Sequence, residues 1–193
     1  MIVSIILPAL SIPFFNYVTS DSEVSVTDFA GFFFHGNPVF SLETMVRFYR
    51  ARDEKSAVLL TQRLGQTNSP LTVDEMLTAL NDPRFNVRFE AIISIARMDS
   101  NDQLIEALTQ VLNGTELSLT VMAAWALGRI GDEKALPALR DGLNSDYRSI
   151  RAHCARALGT LNDETIIPLL HGRLKVEEDK GLQMAYASSL ASM

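Results

Sequence analysis

Apolar positions recur along the second half of this chain at a nearly constant long interval. Met98, Ile130, Leu161 and Met193 are separated by 32, 31 and 32 residues, and Val87, Leu119, Ile150 and Leu182 recur upstream at the same intervals. A period of about thirty residues, with apolar positions at helical spacing inside each interval, predicts a stack of helical hairpins. The first explicit unit opens at Asn81-Asp82-Pro83, carries a helix over 87–98, breaks at 99–102 and continues as a second helix to Leu112, stopped by Asn113-Gly114. The second unit has helical patterns over 121–130 and 135–139 around a Gly131-Asp132 turn, and the third over 150–159 and 166–170 around Asn162-Asp163. Upstream, Glu43, Met45, Val46 and Phe48 begin a first helix after Ser41, residues 55–64 form a second closed by Gly65, and residues 72–80 form a third. The fold class is therefore all-α, an α-solenoid or superhelix of helical hairpins over 45–193. No hairpin buries its apolar face alone, so the product is an extended surface suited to binding.

Small residues support the same plan. Ala91, Ala96, Ala124, Gly128, Ala155 and Gly159 let neighbouring helices approach, while Leu127, Leu158, Leu136 and Leu169 fill the space between layers. Pro137 and Pro168 fall at equivalent places in the first turns of two successive second helices, where a missing N–H costs little.

The amino-terminal region breaks the pattern. Residues 1–20 contain no charged side chain, and the stretch from Met1 to Val18 approaches the roughly 20 apolar residues that cross a bilayer as a helix. A basic leader region and a small-residue cleavage site, which a signal peptide needs, are not evident. A core helix would be interrupted by Pro8 and Pro13. A membrane-spanning or membrane-inserted segment fits best, with Phe14, Phe15 and Tyr17 near an interface. Residues 21–44 read as a linker with an aromatic cluster, Phe29, Phe32, Phe33, Phe34 and Phe40, which either plugs the open end of the stack or rests on a membrane surface.

Charge and composition narrow the partners. The net charge is −6, and residues before Arg47 carry Asp21, Glu23, Asp28 and Glu43 with no Lys or Arg, leaving the repeat region near neutral. Nucleic-acid binding shows as a clustered basic face, so nucleic acid is not an expected partner. The single Cys154 rules out an intrachain disulfide and stands where Ala91 and Ala123 stand in neighbouring units, as a small buried residue would. His35, His153 and His171 form no spaced pair, the ten glycines form no phosphate loop, and Asp132, Asp146 and Asp163 lie at turns where capping explains them. No catalytic residue, cofactor or metal is assigned.

The units carry a family resemblance. Val87-Arg88, Ile150-Arg151, Ala126-Leu127-Gly128 with Gly131-Asp132, and Ala157-Leu158-Gly159 with Asn162-Asp163 resemble HEAT repeats, in particular the short variety first associated with phycobilisome (PBS) lyases. The resemblance covers 72–193 and implies HEAT-like hairpins. It departs at Thr120, where an arginine is expected, and at the last unit, which stops after one helix. The whole arrangement also resembles the carboxy-terminal HEAT region of bacterial major facilitator superfamily (MFS) transporters. On that likeness residues 1–18 are the remainder of a final span, and the protein lies in the bacterial inner membrane with its HEAT domain on the cytoplasmic side. The flanking charges themselves fix no orientation.

Arginines are the candidate partner-binding residues: Arg88, Arg129, Arg151, Arg140 and Arg173. Arg88 and Arg151 follow the apolar residue of their first helices, where they either tie layers together through turn carboxylates and carbonyls or form a surface row for an acidic partner. Trp125 is expected between layers, and a concave face of second helices, around Glu106, Lys134, Arg140 and Arg173, is expected to hold a helix or extended peptide. The resulting expectation is a non-catalytic, membrane-tethered protein–protein interaction scaffold. A phycobilin lyase-like accessory of chromophore attachment, or a soluble HEAT scaffold, are the alternatives.

Overall fold

The computed structural model describes residues 53–67 and 72–193, so the apolar segment, the aromatic linker, His35 and the helix expected after Ser41 lie outside the described residues. Among the described residues all regular structure is helical. The α-helices are α1 (Glu54–Gly65), α2 (Thr72–Leu80), α3 (Phe85–Ile95), α4 (Asp102–Leu112), α5 (Leu117–Ile130), α6 (Leu136–Gly142), α7 (Arg148–Thr160), α8 (Ile167–Val176) and α9 (Lys180–Ser192). Short 3₁₀ turns, Glu133–Ala135 and Glu164–Ile166, lead into α6 and α8. Both of those helices carry Pro in the first turn, as the sequence predicts.

The helices form two rows. First helices stack in the order α1, α3, α5, α7, α9, and the second helices α2, α4 and α6 run beside them in contact with one another. Each second helix packs on the first helix that follows it: α2 on α3, α4 on α5, α6 on α7 and α8 on α9. The core therefore lies between the rows and is continuous from layer to layer. Val87, Leu119, Ile150 and Leu182, the repeating positions of the sequence, are all buried in it.

Close approach along the first-helix row has a repeating cause. Positions 65, 96, 128 and 159 are equivalent and hold Gly, Ala, Gly and Gly. A Cβ built on Gly65 would lie 2.4 Å from Ser94 Cβ, one on Gly128 would lie 2.7 Å from Ala157 Cα, and one on Gly159 would lie 2.9 Å from Ser189 Cα. Ser94, Ala157 and Ser189 are themselves equivalent, so a missing side chain on one helix meets a small residue on the next. Along this row the packing is least extensive between α3 and α5, where Ala96 replaces glycine.

The turns are built from local hydrogen bonds. Asp53, Asn101, Asp132, Asp163 and Asp179 accept backbone N–H groups at the starts of the elements that follow them, satisfying donors that have no helical partner. Asp146 does not cap; its backbone carbonyl accepts from Arg151 instead. Gly131 ends α5 at φ 77°, the left-handed conformation in which glycine bears no steric penalty.

Candidate functional site

Four of the five sequence-predicted arginines are fastened to the repeat framework. Arg140 of α6 forms a two-point bond to Asp163, Nε to Oδ2 at 2.7 Å and Nη2 to Oδ1 at 2.9 Å. Asp163 is buried, also accepts Thr165 Oγ1 at 2.6 Å, and the Arg140 hydrogen bond holds its carboxyl below the usual carboxylate range. Arg173 of α8 reaches back to the turn after α6, bonding the Leu143 carbonyl and Asn144 Oδ1. Arg151 donates to the carbonyls of Ser145 and Asp146 at 2.8 and 3.0 Å, which is the turn contact expected of it.

Arg88 reaches a different partner from the turn near Asp82: it grips both carboxylate oxygens of Glu116, in the loop before α5. Asp82 pairs with Arg84. Thr120 lies beside this contact. Thr120 lies 32 positions after Arg88 and 31 before Arg151; its hydroxyl contacts the carbonyls of Val111, Gly114 and Glu116, the loop that an arginine there would have secured. Arg88 reaches the same loop from the preceding unit through the Glu116 carboxylate.

Arg129 alone among the five predicted residues has no hydrogen-bond or ion-pair partner among the described residues, and it is exposed. It lines a groove of about 310 Å³ between α5 and α7 with Trp125, Gly128, His153, Arg156, Ala157 and Thr160. The close approach of Gly128 to Ala157 forms the groove floor. Arg156 is likewise exposed and without a partner among the described residues. Trp125 is half-buried, packed against the core while still lining the groove, so it is less enclosed than a residue between layers. His153 Nδ1–H donates to the Ser149 carbonyl at 2.8 Å, leaving Nε2 as the free ring nitrogen.

None of the seven lining residues is acidic, so two guanidinium groups and an imidazole share the groove with an indole and no compensating charge. The neighbouring valleys differ. Arg97, just after α3, has the carboxylate of Glu90 in its field, and between α7 and α9, in an opening that Arg156 also lines, Arg148 is paired with Asp179. Sequence reasoning singled out Arg129 but missed Arg156. The signal lay in the register: Ile93, Trp125 and Arg156 are equivalent positions on successive first helices.

The rest of the described surface shows little chemistry of its own. No group of three or more His, Cys, Asp or Glu residues that could hold a metal ion occurs among the described residues. Cys154 is buried, as its place in the repeat predicts, and burial pushes its thiol up to about 12, far from a reactive thiolate. No described helix is long and apolar enough to cross a membrane.

The HEAT-repeat family model matches residues 73–153 and 105–191, together more than half of the chain. The chain belongs to the HEAT-repeat family. Among solved structures this HEAT-repeat protein is similar to the complex of CpcE and CpcF of phycocyanin lyase from Nostoc, with a TM-score of 0.65 at 18% identity over 79% of this chain and 64% of that one. It is also similar to human deoxyhypusine hydroxylase in complex with glycerol, with a TM-score of 0.54 at 19% identity over 62% of this chain and 42% of that one. Identities this low show a shared fold, and this HEAT chain spans less than two thirds of the length of either relative. No curated protein matches at the level of sequence.

Proposed function

We propose that this HEAT-repeat chain is a non-catalytic scaffold that holds a protein partner in the groove between α5 and α7. One observation carries the reading. The other four predicted arginines spend their hydrogen-bonding capacity on the repeat framework, whereas Arg129 and Arg156 line one groove with a half-buried tryptophan and make no hydrogen bond or ion pair among the described residues. Trp and Arg are the residue types that most often dominate protein interfaces. Arg140 and Arg173 contribute structure to the second-helix row, so they are not contact residues in this proposal.

A photo-crosslinking amino acid at the exposed Thr160, compared with one at Glu106 on a second helix, tests the face used. The expected result is that the protein captured from Thr160 in the source cells, once purified, binds the wild type and not an Arg129→Glu/Arg156→Glu variant of unchanged melting temperature. Equal binding by that variant would overturn the reading.

The apolar segment of residues 1–20 supports a membrane tether, and the proposal extends to an anchored scaffold, as in the tail of an MFS-type transporter with its HEAT domain in the bacterial cytoplasm. Retention in the membrane pellet after a carbonate wash is the expected outcome; release into the supernatant would remove the tether. A second reading is favoured by the likeness to the phycocyanin lyase complex, namely that the groove cradles a bilin, whose carboxylates would meet Arg129 and Arg156. An absorbance shift on mixing with phycocyanobilin would favour that reading over the scaffold.

A further inference from the structure

Taking the docking reading as its basis, we propose that the occupant of the α5–α7 groove is an acidic segment of the partner protein. It presents carboxylates to Arg129 and Arg156 on either side of an apolar or aromatic residue that rests on Trp125. The argument begins with charge. Along the stack the other arginines with resolved contacts are neutralised or tied down within the chain: Arg84 by Asp82, Arg88 by Glu116, Arg140 by Asp163, Arg148 by Asp179, and Arg151 and Arg173 by turn carbonyls. In the α5–α7 valley two guanidinium groups face one opening that no acid lines. A planar guanidinium offers paired donors that match a carboxylate, and such charge-assisted bonds are about twice as strong as neutral ones.

Shape and surroundings choose among anions. The volume of about 310 Å³ suits a few side chains and not a long polyanion. The repeat region lacks the extended basic face that a nucleic-acid backbone needs, whereas a short acidic segment needs only the local pair of guanidinium groups. Trp125 supplies an apolar surface in the same groove, where an apolar side chain loses water as the carboxylates pair. His153, held by Ser149 through Nδ1, adds an imidazole to the lining of the same groove.

Trp125 is the sole tryptophan, so its emission reports the groove without labelling. The whole protein is titrated with a synthetic peptide carrying a central Phe flanked by glutamates, with a peptide in which Gln replaces every Glu, and with one in which Lys does. The acidic peptide is expected to shift Trp125 emission saturably. Arg129→Gln and Arg156→Gln are each expected to weaken it roughly tenfold without changing the melting temperature, and salt at about 0.5 M to abolish it. Equal response to the Gln peptide, binding detected calorimetrically with Trp125 silent, or preference for a single-stranded oligonucleotide or phycocyanobilin would overturn the proposal. A cross-linked natural partner that seats in the groove through a non-acidic segment would leave the docking reading standing and sink this one alone.

Discussion

Gly128 is required by contact: any Cβ at that position meets both the Cα and the Cβ of Ala157 inside 3 Å, so α5 and α7 would have to separate. Gly128→Val is expected to lower stability by about 1–3 kcal/mol or more through overpacking, read as a fall in the denaturant midpoint, and to reshape the groove floor. Cys154 shows the complementary case, since it occupies space that Gly142 leaves open, with its sulfur 2.3 Å from where a Gly142 Cβ would stand. Much of this was legible beforehand. The sequence marks Gly128 and Gly159 as contact positions because they share a register, and Cys154 as buried because alanines stand at its equivalents. Glu75 was not legible. It falls at the place held by Ala107, Ala138 and Leu169, yet it is buried with Oε2 lacking a partner among the described residues, and no local pattern announces a buried acid.

At the level of helices and turns, arginines reaching across units do the work that the leucine pattern cannot show. Asp163 caps the 3₁₀ turn before α8 and receives Arg140 from the preceding hairpin, so one buried carboxylate joins two units. Asp163→Ala removes both functions. It is expected to cost about 1–3 kcal/mol and to release hydrogen-exchange protection in α6 and α8 before α2. Equal loss of protection throughout would show that the joint is not local. The sequence revealed the arginines but not their partners, because the choice between a turn carbonyl and a cross-unit carboxylate depends on loop geometry. Arg88 and Arg151 make the point: from equivalent positions one pairs with Glu116 and the other with the carbonyls of Ser145 and Asp146.

For the whole molecule, the buried and the paired acids respond to pH in opposite senses. Burial raises Glu75 from near 4.5 to about 7, so in the folded state it binds a proton that the unfolded chain gives up between those values. Stability therefore rises as pH falls through that window, by up to about 3 kcal/mol if the site stays dry. Asp82 and Asp163 are lowered, chiefly by their arginine hydrogen bonds; the stability they contribute is present above the ordinary aspartate value and is lost as pH falls through their lowered values. A maximum at roughly pH 4.5 follows from the two windows together. Denaturant midpoints measured across pH are expected to climb from neutral toward that value and then drop, and Glu75→Leu, matching Leu169, should remove most of the climb, the rest belonging to Glu90, which desolvation also raises. A flat profile in the wild type between pH 5 and 7 would show that water reaches the Glu75 carboxyl.

The cross-unit bonds of the stack, from Asn86 with Glu54 to Arg148 with Asp179, join only adjacent hairpins. Under tension such a body behaves as a spring made of serial links. Pulled from its ends, it would lengthen one link at a time, keeping the remaining layers and the surfaces they carry intact.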